Sequence, residues 1–220
     1  LGSSHFSVVV LEKMLAGGLN VVGVITQPDR PSGRGHKLTP TEVKTFALKH
    51  DIPVYTFEKV RKSINEIKQI DFDLSVVASF GQILTQEFLD LKLCINVHPS
   101  LLPKYRGATP IQSAILNGDS KTGVTIMKVA KEVDSGDIIL QHEVDYCGQD
   151  TLTLEKELGS IGGEMVCSCV KNIEDKTITF TPQDNNKATL VKKITKEDCL
   201  LNPFEEDAIS LKRRVLALGY

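Results

Sequence analysis

Short apolar segments alternate with amphipathic segments along the first half of the chain, and this alternation restricts the fold more than any other feature. Strands are predicted at residues 20–26, 53–56, 73–79 and 93–98, and helices at residues 4–16, 41–50, 59–69 and 86–89. Such alternation is typical of an α/β fold whose mainly parallel sheet is flanked by helices. We therefore expect a Rossmann-like sheet, with sites beyond the carboxyl ends of its strands.

The second half of the chain has a different pattern. Strands are predicted at residues 122–130 and 137–145, and the tight turn between them indicates antiparallel strands at the edge of the sheet. A helix is expected over residues 110–116, and a long helix over residues 152–173 that is interrupted or kinked near Gly159 and Gly162–Gly163. A last edge strand is predicted at residues 176–180.

The amino-acid composition of the chain changes near residue 181, where a polar, loop-like segment begins. We predict one domain over residues 1–180, a linker over residues 181–207, and the start of a second domain over residues 208–220, where helical periodicity returns. At the other end, the chain starts at Leu1 and a turn-like Gly-Ser-Ser follows at once. We expect that a first strand of the sheet is missing before it.

Composition and charge exclude some classes of protein. The net charge of −2 gives no global basis for nucleic-acid binding, so any RNA contact requires a local basic patch. No apolar run reaches the roughly 18 residues that a membrane span needs. The five cysteines are odd in number and form no Cys-x-x-Cys pair, so neither a disulfide framework nor a zinc site is indicated. We expect reduced thiols in a cytoplasmic protein.

Two polar side chains stand out in the strand predicted at residues 93–98. Asn96 and His98 are two positions apart, so they lie on one face of the strand, with Ile95 and Val97 on the other. The chain then becomes irregular and rich in proline. An amide and an imidazole at the end of a core strand indicate a site, although a lone histidine there can also be a hydrogen-bonded core residue.

Several motifs resemble those of the folate-dependent formyltransferases. The central one is the run from His98 to Pro103, His-Pro-Ser-Leu-Leu-Pro, preceded by Asn96. Further segments resemble the branch of the family that acts on initiator methionyl-tRNA, and they lie at residues 27–38, 100–112, 123–127 and 133–137. The resemblance covers residues 2–180 and implies a Rossmann-like catalytic domain, followed in the family by an oligonucleotide-binding domain.

The resemblance implies transfer of a formyl group from 10-formyltetrahydrofolate, as co-substrate, to the α-amino group of initiator methionyl-tRNA, without a metal. It assigns catalysis to Asn96, His98 and Asp134. Negative charge grows on the formyl oxygen when the amine attacks, and Asn96 and His98 can donate hydrogen bonds to it. The amine must also lose a proton, and Asp134 can accept it directly or through water. Which of His98 and Asp134 takes the proton is left open.

The resemblance also implies binding residues. The folate site is expected to use Ser100, Leu101, Leu102 and Pro103 as a wall, and Phe80, Gly81, Gln82, Ile83 and Leu84 along the pterin pocket. The acceptor arm of the tRNA is expected to meet basic residues of the loop at 27–38 and of the loop after the central motif, namely Arg30, Arg34, Lys37 and Arg106. For Arg106 a second interpretation is that it braces its own loop. We expect a monomer.

Other interpretations compete with these. Asp134 lies in Asp-Ser-Gly, which favours turns, and can be a turn former only. The acceptor can be glycinamide ribonucleotide or a sugar nucleotide, or the enzyme can be a formyl-folate hydrolase. The long basic loop at residues 27–38 argues against these alternatives, because a small acceptor does not require such a loop. A non-catalytic nucleotide- or folate-binding module is the alternative of a different class. The sequence has no Gly-x-Gly-x-x-Gly motif after a strand, and this argues against a site that binds a dinucleotide.

Overall fold

The computed structural model describes residues 1–32 and 37–219. Its helices are α1 (His5–Ala16), α2 (Glu42–Lys49), α3 (Ile64–Ile67), α4 (Gln86–Leu89), α5 (Pro110–Asn117), α6 (Thr151–Glu174) and α7 (Ala208–Leu218). Its strands are β1 (Val24–Thr26), β2 (Arg30–Ser32), β3 (Lys37–Thr39), β4 (Val54–Thr56), β5 (Leu74–Val77), β6 (Leu93–His98), β7 (Arg106–Gly107), β8 (Lys121–Lys128), β9 (Ile138–Asp145) and β10 (Leu190–Val191).

The largest sheet has the strand order β5-β6-β8-β9. Strand β6 pairs in parallel with β5 and antiparallel with β8, and β9 completes an antiparallel edge. This confirms the α/β class and the antiparallel edge strands. Strand β6 lies inside the sheet, so its carboxyl end, where Asn96 and His98 stand, is supported on both sides.

A second, two-stranded sheet pairs β1 in parallel with β4. Residues Leu1 and Gly2 lie between the two sheets, because the Gly2 amide donates to the Ile25 carbonyl (3.1 Å) and the Ala78 amide donates to the Leu1 carbonyl (2.9 Å). A cavity of about 830 Å³ adjoins this region, and side chains such as Val10 and Phe88 line it. The strand expected before Leu1 stays a prediction.

Helix α6 corrects one prediction, because it runs without interruption through its glycines. A Cβ atom on Gly163 would lie 2.5 Å from the Lys13 Cβ and 2.8 Å from the Val10 carbonyl oxygen of α1, and one on Gly162 would lie 2.5 Å from the Val97 side chain. These glycines therefore let α6 approach α1 and the sheet closely. Their role is packing, not helix breaking.

Three other local predictions were wrong. The helix expected at residues 59–69 is a 3₁₀ turn (Val60–Lys62) followed by the short α3, and the Gln82 side chain accepts from the Val60 amide (2.9 Å) where the turn starts. Residues 176–180, expected to be a strand, form none, and the next residue, Thr181, makes one isolated bridge with Ile138. The loop expected at 27–40 contains the antiparallel pair β2–β3.

The segment after residue 180 packs against the rest of the chain. Strand β10 pairs in parallel with the short β7, next to the proline-rich loop after β6. Helix α7 lies against α5 and α6, Ala217 is fully buried, and the Thr151 hydroxyl donates to its carbonyl (2.8 Å). The division into a domain, a linker and the start of a second domain stays a prediction.

Candidate active site

The end of β6 brings the two predicted polar residues to one place. The main-chain register pairs Asn96 with Val77 of β5 and with Met127 of β8, and pairs His98 with Thr125 of β8. The His98 side chain is 4% exposed. Since both residues lie on the face opposite Ile95 and Val97, their side chains project together from a rigid element, as the spacing predicted.

A backbone carbonyl fixes the imidazole of His98. Its Nε2 atom lies 2.9 Å from the Tyr105 carbonyl oxygen. A carbonyl oxygen can only accept, so Nε2 carries the hydrogen of the neutral ring and Nδ1 is the free base position. The Nδ1 atom lies 3.6 Å from Oδ2 of Asp134. A proton that arrives between these two atoms would therefore be held by a nitrogen and a carboxylate together.

Asp134 comes to the same place from the turn between β8 and β9. Its Oδ1 accepts from the Asn96 amide (3.3 Å), and its Oδ2 accepts from the Gly107 backbone amide (2.8 Å). Its backbone is left-handed, with φ of 48°, a region that few residues other than glycine adopt. Such strain concentrates at functional sites. The structure thus brings together all three residues predicted to be catalytic.

The tyrosine that holds His98 is itself anchored. The Tyr105 hydroxyl donates to Asp119 (2.7 Å) and accepts from the Asn117 amide (2.9 Å). Burial raises the pKa of Tyr105 to about 12, so the hydroxyl stays protonated near neutral pH and keeps donating. The backbone amide of Tyr105 donates to the Thr189 hydroxyl (2.8 Å). These contacts set the position of the carbonyl that orients His98.

One threonine of β8 makes two of the hydrogen bonds that attach the predicted folate wall to the sheet. The Thr125 hydroxyl donates to the Ser100 carbonyl (2.7 Å) and accepts from the Leu102 amide (3.2 Å). Ser100 is fully buried and Leu102 is 3% exposed, so their side chains support the loop from within. Leu101 and Pro103 are only partly buried. Of the four predicted wall residues, these two have side chains that a ligand can reach in this conformation.

The predicted pterin segment after β5 also divides into internal and exposed residues. Phe80 is 3% exposed and belongs to the core. The Gln82 amide group donates to the Phe57 carbonyl (3.0 Å) besides accepting from Val60. Gly81 is exposed with φ of 75°, Ile83 is 86% exposed, and Leu84 is partly buried against the core. A backbone edge and an apolar side chain are therefore open to a flat ring.

Burial and hydrogen bonding favour the bracing interpretation of Arg106 over an RNA contact. The residue is 7% exposed. Its Nε and Nη2 atoms donate to Oε1 of Gln183 (3.0 and 2.8 Å), and Nη2 also donates to Asn185 (2.8 Å). Sequence reasoning missed Gln183, whose amide donates to the carbonyls of Asp134 and Gly136 (2.9 and 2.7 Å). The polar run at residues 181–186 gave no signal for this role.

Two of the predicted RNA-contacting residues of the basic loop, Arg30 and Lys37, lie in β2 and β3. Arg30 is exposed, with its guanidinium 3.8 Å from the Glu58 carboxylate, and Lys37 is also exposed. Arg34 lies outside the described residues. The two described cations are therefore available to an anionic partner.

Within residues 1–32 and 37–219, histidine, cysteine and acidic side chains form no group of three or more that could hold a metal ion. In the same part of the chain, no helix is both long and apolar enough to span a bilayer.

The sequence of the chain is similar to those of known proteins of one family. The sequence model of the formyl transferase family matches residues 1–169. The chain is 41% identical to the methionyl-tRNA formyltransferase of Thermotoga maritima, over 99% of this chain and 71% of the relative. It is 45% identical to that of Bacillus subtilis, over 92% of this chain and 65% of the relative.

A solved structure shows the same fold. It is the N-formyltransferase of Helicobacter canadensis in complex with folinic acid and dTDP-3-aminofucose. The TM-score is 0.72 at 22% identity, over 100% of this chain and 79% of the other. At this identity the likeness supports the Rossmann-like fold and carries no information on the acceptor.

Proposed function

Because the chain belongs to the formyl transferase family, we propose that it transfers the formyl group of 10-formyltetrahydrofolate to the α-amino group of initiator methionyl-tRNA. The observation that carries this proposal is the identity of 41–45% to methionyl-tRNA formyltransferases across nearly the whole chain. The product supplies translation initiation, and we place the enzyme in the cytoplasm, as a monomer. The network of Asn96, His98 and Asp134 supplies the chemistry.

The reaction joins the amine nitrogen to the formyl carbon and breaks the bond from that carbon to N10 of the folate. The attacking nitrogen loses one proton, and N10 gains one as it leaves. In between, the formyl oxygen carries negative charge, which a preorganised donor stabilises. The Asn96 amide has two hydrogens, and its hydrogen bond to Asp134 uses one, so the second is the donor for this oxygen.

The proton that the amine loses is accepted where His98 and Asp134 face each other. With Nε2 of His98 directed to the Tyr105 carbonyl, Nδ1 and the Asp134 carboxylate are the two acceptors at this point. The imidazolium that results is neutralised by Asp134, and Nδ1–H can return the proton to N10 of the folate. Acid–base assistance of this kind contributes about 10²- to 10⁴-fold in rate.

The folate is bound as a substrate by groups open to solvent beside this network. We propose that one face of the folate ring contacts the exposed backbone of Gly81 and the side chain of Ile83. The other face of the ring contacts Leu101 and Pro103. The buried Ser100, Leu102 and Phe80 and the partly buried Gln82 hold these contacts in place, and Leu84 joins them to the core. The exposed apolar surface of Ile83 is the feature that best fits a flat aromatic ligand.

The test is a comparison of acceptors with 10-formyltetrahydrofolate as donor. Purified protein is incubated with initiator methionyl-tRNA, with glycinamide ribonucleotide, or with a dTDP-amino sugar, and the formylated product is measured. We expect formyl-methionine after hydrolysis of the tRNA ester, and a kcat/KM for the tRNA at least about 10³-fold above that for either small amine. Formylation of a small amine alone, or release of formate without an acceptor, would refute the proposal.

A further inference from the structure

One glutamine beyond the β-sheet connects two loops of the site without touching any of the three reacting side chains. The Nε2 atom of Gln183 donates to the Asp134 carbonyl (2.9 Å) and to the Gly136 carbonyl (2.7 Å). Its Oε1 atom accepts from Nε and Nη2 of Arg106 (3.0 and 2.8 Å). All the hydrogen-bonding groups of this side chain are thus directed at the two segments that carry Asp134 and the anchor of His98.

The turn that Gln183 holds needs an external support. Asp134 has a left-handed backbone, which is strained for a residue with a side chain and persists only where the surroundings impose it. A Cβ atom on Gly136 would overlap the Lys128 carbonyl, so the turn lies tightly against the end of β8. The two carbonyls that accept hydrogen bonds from Gln183 lie on either side of Ser135. Because both carbonyls are fixed, the direction in which the Asp134 side chain leaves the backbone is fixed too.

The Arg106 side of the contact fixes the other loop. Arg106 is buried, and its backbone amide donates to the Thr189 carbonyl (2.8 Å). It lies between Tyr105, whose carbonyl holds His98, and Gly107, whose amide holds Asp134. Gln183 therefore sets the separation between the His98 anchor and the Asp134 turn. We infer that Gln183 is a positioning residue, which keeps the Asp134 carboxylate aligned with Nδ1 of His98 during formyl transfer.

This inference rests on the proposed formyl transfer. The expected reduction in rate follows from the geometry of the site. A displacement of about 1 Å in a catalytic group can reduce the rate by roughly 10²-fold. Gln183→Glu keeps the side-chain length and an acceptor for Arg106, but it removes both hydrogens that the carbonyls receive. We expect kcat to fall by about 10- to 100-fold, while the KM for 10-formyltetrahydrofolate stays within about twofold.

Two further variants separate charge from geometry. Gln183→Met has a similar length, no charge and no donor, and we expect the same loss in kcat. Asn186→Asp introduces the same change of charge at an exposed amide of the same segment, three residues away, and we expect nearly wild-type kinetics. Thermal unfolding accompanies each measurement. A loss of the native fold in both Gln183 variants would overturn the inference, since it would make the residue purely structural.

The decisive experiment is a double-mutant cycle with Asp134→Asn, measured as single-turnover rates. If Gln183 acts through Asp134, Gln183→Glu reduces the rate much less in the Asp134→Asn background than in the wild type. Multiplicative losses, or a raised KM with unchanged kcat, would overturn the inference. The cycle uses whichever acceptor the wild type formylates, so a wild type that formylates only a small amine would refute the proposed function and leave this test intact.

Discussion

The ring of His98 is held by a backbone carbonyl, and this contact decides which of its nitrogen atoms faces Asp134. Because Nε2 is directed to Tyr105, Nδ1 faces Asp134, and this is the pair that we propose as the proton acceptor. Sequence spacing was sufficient to place Asn96 and His98 on one face. It could not identify the Tyr105 carbonyl or the Gly107 amide as partners, because backbone groups have no sequence signature and depend on how the loop closes.

We predict that His98→Asn abolishes formyl transfer while the folate still binds. The shorter amide cannot offer a basic nitrogen at the position of Nδ1, so we expect a loss of at least about 10²-fold in kcat. Binding of 10-formyltetrahydrofolate, measured by fluorescence titration, should change by less than a few-fold. The matched control is His142→Asn, at an exposed position of β9, which should keep full activity. Near-normal turnover of His98→Asn would contradict the role assigned to this residue.

Helix α6 and the turn after Phe57 show where element predictions fail. Glycines are weak helix formers, so local propensity predicts a break, but close packing against α1 and β6 stabilises a continuous helix. Val60, Ile64 and Ile67 have helical spacing, yet tertiary contacts divide this stretch into a 3₁₀ turn and α3. In both cases the deciding contacts come from distant parts of the chain, which periodicity does not reveal.

We predict that Gly163→Ala destabilises the protein, although alanine favours helices by about 1 kcal/mol over glycine. The new methyl group would contact Lys13 and Val10 of α1 at 2.5 and 2.8 Å, so we expect a net loss of about 1–3 kcal/mol in the free energy of unfolding. Urea denaturation measures it. Ser168→Ala, at an exposed position of the same helix, should be nearly neutral. A stabilised Gly163→Ala protein would show that α6 and α1 are not in close contact.

The β2–β3 pair carries a prediction about RNA recognition. Replacing Arg30 and Lys37 together by alanine should raise the KM for methionyl-tRNA by about 10-fold and lower its dependence on salt, since each phosphate contact adds to that dependence. The KM for the folate should not change. Lys49→Ala, an exposed lysine on α2, is the control. An equal increase in the KM values for methionyl-tRNA and for the folate would contradict an RNA-contacting role for this element.

Across the whole molecule, the segment after residue 180 is part of the site. Composition marked it as a linker, since its residues are polar and lack periodicity. In the structure it supplies Gln183 to the Asp134 turn and Thr189 to the Tyr105 backbone. Polar side chains that fix other loops look the same in sequence as solvated ones. This is why the sequence could predict that Asn96, His98 and Asp134 belong to one candidate site, whereas it could not predict the side chains that support them.

The buried thiols and Tyr105 give the whole molecule a predicted alkaline instability. Burial raises the pKa of Cys94 to about 12, of Cys169 to about 11 and of Tyr105 to about 12. These pKa values exceed those of the same groups in the unfolded chain. The contribution of the protonated groups to the free energy of unfolding is therefore complete below about pH 9, and it is lost as the pH rises towards 12 and the groups ionise. The free energy of unfolding, measured in urea between pH 7 and 11 or so, should fall above about pH 9.

A matched pair of variants assigns this alkaline effect. Cys94→Ala with Cys169→Ala should flatten the pH dependence, although the protein becomes less stable at neutral pH. Cys147→Ala, at an exposed thiol, should leave the curve unchanged. An unchanged slope in the double variant would mean that the buried thiols do not titrate with unfolding.

The most direct test of formyl transfer at this site is the single-turnover rate of Asp134→Asn with 10-formyltetrahydrofolate and initiator methionyl-tRNA. Asparagine tolerates the left-handed backbone, and its single oxygen still accepts from the Gly107 amide, although its NH2 group replaces the oxygen that accepted from Asn96; we therefore expect the protein to remain folded. We predict a rate about 10²- to 10⁴-fold below that of the wild type. A folded Asp134→Asn protein that transfers the formyl group at nearly the wild-type rate would contradict the account.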